Sequence, residues 1–195
     1  MTVSIFAPSL RAVSLAALFA VTAPLAAFAA GGGGGDDDSD RDAPPTRTNT
    51  TLACPEGYVL DTETNLCRLI ESGQLDDDTL YEAVREFAYA GEYGLATRAL
   101  DAMSDQAADR VLTYRGFLLR MTGDIDGAMA VYLAAIDANP DNLLVRSYMG
   151  QGLVTLGRVA EAQAQLVEIR MRGGAGTWPE ESLAEALRTG QTYSY

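Results

Sequence analysis

From about residue 75 onward, apolar residues recur at helical spacing. In the stretch GDIDGAMAVYLAAIDANPDN, Gly123 to Asn142, the residues Ile125, Ala128, Tyr132 and Ala135 fall on one helical face, and Asn139-Pro140 ends the pattern. The same reading predicts a first helix opening among Asp76, Asp77, Asp78 and Thr79 and running to about 90. Others follow over about 93–103, 107–121, 124–138, 140–156, 159–171 and 179–188. Ser104 and Asp105 are the expected caps of the third helix, Asp124 starts the fourth and Pro140-Asp141 opens the fifth. Thr177-x-x-Glu180 has the form of a capping box with Pro179 in the first turn. Earlier in the chain the pattern changes. Within CPEGYVLDTETNLC, Tyr58-Val59-Leu60 is β-prone, Asp61 to Asn65 is turn-rich, and Leu66-Cys67 returns. A small hairpin within 52–74 is expected, placed to cap the helical region.

The helix breaks are regular. Gly91, Gly123 and Gly157 lie 32 and 34 residues apart, each followed five residues later by alanine (Ala96, Ala128, Ala162) and four further on by Leu100, Tyr132 and Leu166. Gly116 and Gly150 stand seven residues before the second and third breaks. A period near 34 with two helices per unit resembles the tetratricopeptide repeat family, over residues 75–174. The middle unit carries the pattern most fully, through Gly116, Gly123, Ala128, Tyr132, Ala135 and Pro140. The outer units depart from it: Val84 stands where a small residue is expected in the first, Ile169 and Gly174 where a small residue and Pro are expected in the third. A generic helical bundle is the alternative. The resemblance implies an all-α superhelix of about three helix-turn-helix units. Residues 175–195 then supply a closing helix and tail, with Leu183 and Leu187 covering the last apolar face.

Composition narrows the class. The chain has 195 residues, 14 cations that are all Arg, 27 acidic residues, no His and a net charge of −13. Neither nucleic acid nor an anionic lipid surface suits so acidic a partner. Residues 1–30 are expected to be a secretory signal: Arg11 in a short n-region, an apolar stretch from Ala12 to Ala30, and Ala27-Phe28-Ala29 at the cleavage position. An uncleaved anchor is the alternative, and no later segment offers a span. A lipoprotein signal is rejected, because Gly31 follows the alanines and Cys54 lies too far on. Residues 31–51 form a Gly- and Asp-rich linker, expected to be disordered. Asp36, Asp38 and Asp40 begin like a calcium loop, but Arg41 and Arg47 occupy its Gly and Glu positions. In a secreted chain, Cys54 and Cys67 should form one disulfide.

Without His, a Ser-His-Asp triad or a His-ligated metal cannot be assembled. The glycines at 173, 174 and 176 lack the Lys of a phosphate-binding loop. No enzyme activity, cofactor or metal is expected. The resemblance implies instead a concave surface, lined by the first helix of each pair, that binds extended or helical peptides. Mapped onto this chain it holds Tyr81, Arg85 and Tyr89, then Arg110, Thr113, Phe117 and Arg120, then Ser147, Gln151 and Val154. Arg85, Arg110 and Arg120 would focus positive charge for an acidic or C-terminal peptide, with Tyr81, Tyr89 and Phe117 as anchors. The alternative is that these arginines pair with the chain's own acids. The family's Lys- and Asn-based carboxylate clamp is not matched. The expected function is a non-enzymatic protein-binding adapter of the bacterial cell envelope, in the periplasm, with an unidentified protein or peptide partner. A second reading is glycan or peptidoglycan binding through Tyr58 of the hairpin and an exposed Trp178.

Overall fold

The glycine breaks found in the sequence are helix caps of one recurring geometry. In the computed structural model, which describes residues 1–2, 42–45 and 53–192, seven α-helices follow one β-hairpin. The hairpin strands are β1 (Tyr58–Asp61) and β2 (Leu66–Leu69). The helices are α1 (Asp77–Tyr89), α2 (Tyr93–Ala102), α3 (Asp109–Met121), α4 (Ile125–Ala138), α5 (Leu143–Thr155), α6 (Val159–Met171) and α7 (Trp178–Thr189). All of these elements belong to the unit Asp36–Tyr195. The expected signal and most of the linker lie outside the described residues. Among the described residues, no helix is long and apolar enough to cross a membrane.

Gly91, Gly123, Gly157 and Gly173 all take left-handed backbone conformations, with φ between 71° and 99°. At each, the next residue's N–H reaches back to a carbonyl in the last helical turn: Glu92 to Phe87 (2.8 Å), Asp124 to Leu119 (2.9 Å), Arg158 to Leu153 (2.8 Å) and Gly174 to Ile169 (2.9 Å). The glycine N–H bonds to the carbonyl one residue further on, at Ala88, Arg120, Val154 and Arg170 respectively. This is the Schellman arrangement, which satisfies orphan carbonyls and reverses the chain. It joins α1 to α2, α3 to α4 and α5 to α6 in packed pairs, and the first helices of successive pairs also touch, α1 with α3 and α3 with α5. The fold is thus an all-α, repeat-like stack.

Small residues set the close approaches within the stack. Ala96, Ala128 and Ala162 are fully buried. A Cβ on Gly116 would collide with the Tyr132 ring, and one on Gly150 would stand 2.6 Å from the Leu183 methyls. A second repeat is visible in the loops. Asp77 of α1 accepts from Ser104 N (2.8 Å) and Ser104 Oγ (2.7 Å) in the loop that ends its own pair. Thirty-two residues on, Asp109 accepts from Asn139 (2.7 Å) and Asn142 (2.9 Å) in the corresponding loop.

Several helix starts differ from expectation. Asp76 and Asp124 cap α1 and α4 through Thr79 N (2.7 Å) and Gly127 N (2.9 Å) as read. The helix expected from Ser104 and Asp105 begins instead at Asp109, because Ser104 is held by Asp77 and Asp105 closes a local turn onto Ala107 N. α5 is capped by Asn142, which accepts from Val145 N (2.9 Å), rather than by Pro140-Asp141. The Thr177–Glu180 capping box does not form. Thr177 Oγ donates to the Gly174 carbonyl, and Glu180 is held by Arg170 (2.6 Å).

The hairpin packs as a lid on the first pair. Asp61 pairs with Leu66 at its tip, and the turn is tied by Asp61, which accepts from Thr64 Oγ (2.6 Å) and Arg68 Nε (2.6 Å). These donors hold the Asp61 carboxyl down at about 2. Val59 and Ile70 are buried with the helical core. Glu71 bridges Arg98 of α2 (2.7 Å), and Cys54–Cys67 is closed as a disulfide. At the opposite end α7 covers α5, with Leu183 fully buried and Leu187 half-buried.

Candidate functional site

The N-terminal ends of α3, α5 and α7 open onto a surface cavity of about 460 Å³. Its floor is a hydrogen-bonded polar cluster. Asn142 donates to both Asp109 (2.9 Å) and Thr113 Oγ (3.1 Å), Asn139 donates to the same Asp109 oxygen (2.7 Å), and Thr113 Oγ donates back to the Asp109 carbonyl (2.7 Å). Each polar group is oriented by its neighbours before any ligand arrives, which lowers the ordering cost of binding. The wall is formed by Tyr81 and Arg110, with the Arg110 guanidinium 5.1 Å from the Tyr81 ring centroid and bonded to Asp78 at 2.5 Å. Asp42, from the segment 42–45, lines the same cavity.

Behind the cavity runs an aromatic stack. Tyr81 meets Tyr114 edge-on at 5.6 Å, Tyr114 meets Tyr148 edge-on at 6.1 Å, and Phe117 lies 4.9 Å from Tyr148. Tyr89 stacks on Phe117 at 6.3 Å, and its hydroxyl is 2.8 Å from that of Tyr148. Burial pushes the Tyr81 and Tyr114 hydroxyls well above their ordinary value. At Tyr81 the charges of Asp42 and Glu82 add to that rise, and Arg85 and Arg110 oppose it.

The residues expected to share one inner face divide into three groups. Tyr81, Arg110 and Thr113 line the cavity. Arg85 stands beside it, bonded to Glu82 (2.7 Å) and to the Ala43 carbonyl (2.8 Å). Tyr89 and Phe117 belong to the aromatic stack, where Phe117 is fully buried. Ser147 and Gln151 are not presented to solvent. α7 lies over them, so Ser147 Oγ meets Ser182 Oγ at 2.9 Å and Gln151 Nε2 donates to Ser147 (3.3 Å). Val154 is half-buried against the core.

The expected focus of three arginines does not assemble. Arg85 and Arg110 flank Tyr81, and both are held by acids of α1: Arg85 by Glu82 of its own helix, Arg110 by Asp78 across to the preceding pair. Arg120 instead sits below Phe117, 5.4 Å from the ring centroid and 7 % exposed. Its Nε and Nη2 are buried without hydrogen-bond partners among the described residues, as is the Tyr132 hydroxyl. Arg120 is near enough to that hydroxyl to oppose the burial that lifts it to about 12, but no well-formed bond joins them. Trp178, expected to be exposed, is half-buried, and Tyr58 is 36 % exposed.

Sequence reasoning missed Asp42, Asp109, Asn139, Asn142, Tyr114 and Tyr148. A signal for two of them was present: Asp109 and Asn142 open successive first helices 33 residues apart. Among the described residues, no group of three or more His, Cys, Asp or Glu is placed to hold a metal ion. Compared with known protein families, with characterised proteins and with solved structures, the chain gives no match.

Proposed function

We propose that this chain is a non-enzymatic protein-interaction module of tetratricopeptide type, binding a peptide or protein segment on the face formed by the first helices of its pairs. The observation that carries the reading is the cavity over α3, α5 and α7. Side chains from successive pairs converge there on Asp109, in an orientation fixed by their own hydrogen bonds. Such a surface offers donors, acceptors and one aromatic wall, which suits recognition of a main chain with a few polar side chains. The recurring Schellman caps and buried alanines at a spacing of 32 to 34 residues support the tetratricopeptide assignment. The disulfide supports service in an oxidising compartment, for which the bacterial periplasm is the proposed location.

The test is selection from a random peptide library on the full chain, with Arg110→Gln and Asn142→Ala variants in parallel. Arg110 is only partly buried and Asn142 lies at a helix start, so both variants should retain the parental circular dichroism spectrum. Peptides that bind the parent and lose at least about tenfold in affinity to either folded variant support the cavity as the site, a factor of ten being about 1.4 kcal/mol. Binders indifferent to both changes refute it.

A further inference from the structure

The segment Asp42–Pro45 lies half-buried on the helical unit. Nothing in its composition drives that burial hydrophobically, since it consists of one acid, one alanine and two prolines. What holds it is polar. Arg85, itself 5 % exposed, donates from Nη2 to the Ala43 carbonyl at 2.8 Å. Asp42 enters the cavity beside Tyr81 and Arg110. Its charge is close enough to Tyr81 to disfavour loss of the hydroxyl proton. Two arginines of a strongly acidic chain thus stand around one short acidic segment. The prolines suit it to that role. They have no N–H to satisfy and their φ is already fixed, so less entropy is lost when the segment is held in place.

We propose that the surface between α1 and α3 is a binding site for a short acidic segment followed by prolines, and that the chain's own Asp42–Pro45 occupies it in cis. The proposal rests on the peptide-binding reading above and names the chemistry of its ligand. Arg85 reads the main chain through a carbonyl, and Arg110 with Tyr81 accommodates the acid. A partner in trans presents the same chemistry and must displace the resident segment. A tethered segment competes at an effective concentration on the order of millimolar. The parent chain therefore binds such a partner more weakly than its site allows.

The experiment uses the full chain and a labelled synthetic peptide of the sequence DRDAPPTR, residues 40–47, titrated by fluorescence anisotropy. Three proteins are compared: the parent, a tether variant (Asp42→Ala, Pro44→Gly, Pro45→Gly), and the tether variant also carrying Arg110→Gln. An Arg85→Gln version of the tether variant is added where its circular dichroism shows it folded. The expected result is binding to the tether variant at least about tenfold tighter than to the parent, and loss of that gain with Arg110→Gln. Equal binding to parent and tether variant overturns the cis occupancy. A folded tether variant that melts earlier and binds no DRDAPPTR shows a structural strap and overturns the proposal. If that same variant still binds library peptides through Arg110, the peptide-binding reading stands without it. If it binds no peptide of any sequence, that reading falls too.

Discussion

Replacing Gly116 by alanine tests the packing that sets the distance between α3 and α4. A Cβ at this position would fall inside contact distance of the Tyr132 ring, and Tyr132 is fully buried and has nowhere to withdraw. Overpacking of this kind typically destabilises by about 1–3 kcal/mol. Alanine recovers about 1 kcal/mol through its higher helix propensity. The net expectation is a loss of up to about 2 kcal/mol, read as a lower urea midpoint at unchanged m-value. With Tyr132→Leu as background the obstructing ring is gone, and Gly116→Ala should then stabilise by up to about 1 kcal/mol. The propensity gain is common to both backgrounds, so the four proteins form a double-mutant cycle whose coupling is the overpacking cost, about 1–3 kcal/mol. Gly94 is the internal control: it lies in α2 with nothing within 4 Å of a built Cβ. Gly94→Ala should therefore stabilise by about 0.5 kcal/mol. The same change in both backgrounds would refute the argument that the ring rests on the glycine.

Three further outcomes are expected. Cys54→Ala with Cys67→Ala removes a crosslink spanning 13 residues and should lower stability by about 3 kcal/mol on the chain-entropy argument, measured by thermal melting with and without reductant; a parental midpoint for the double variant would show that Val59 and Ile70 alone anchor the hairpin. Arg120→Met should leave the melting temperature unchanged or raise it, since a buried cation with no carboxylate partner among the described residues is exchanged for an apolar chain of similar length, and a drop above about 1 kcal/mol would reveal a partner for the guanidinium. Stability should decline in acid. Native hydrogen bonds from Thr64, Arg98, Ser104 and Arg170 hold Asp61, Glu71, Asp77 and Glu180, respectively, below their ordinary values. The folded chain then binds fewer protons than the unfolded one. The contribution is whole above the ordinary values of 3.8 and 4.5, fades as pH falls through them, and is lost last at Asp61, near 2. Denaturation midpoints from pH 7 to pH 2 measure this, Asp77→Asn should flatten the slope, and a midpoint that holds constant to pH 3 would contradict it.

The sequence by itself determined the helices, their pairing and the hairpin. These rest on local physics: apolar residues at steps of three and four, a glycine wherever the backbone must turn left-handed, and two cysteines across one turn. The left-handed φ of Gly91, Gly123 and Gly157 is a property no neighbouring side chain needs to supply. Helix starts were less legible, because several polar residues compete for each cap and tertiary bonds choose among them. Ser104 could have capped α3, but Asp77, 27 residues away, holds it. Only the tertiary structure decided the site. Ser147 and Gln151 carry the helical register of an open inner face, yet α7 closes over them, and no periodicity within α5 records where a later helix will dock. Arg120 follows the same spacing as Arg110 but rotates under Phe117, while Asn139 and Asn142 reach back some thirty residues to orient Asp109. Spacing along one helix determines which residues share a face. What covers that face, and which distant side chains converge on it, depends on how the pairs stack.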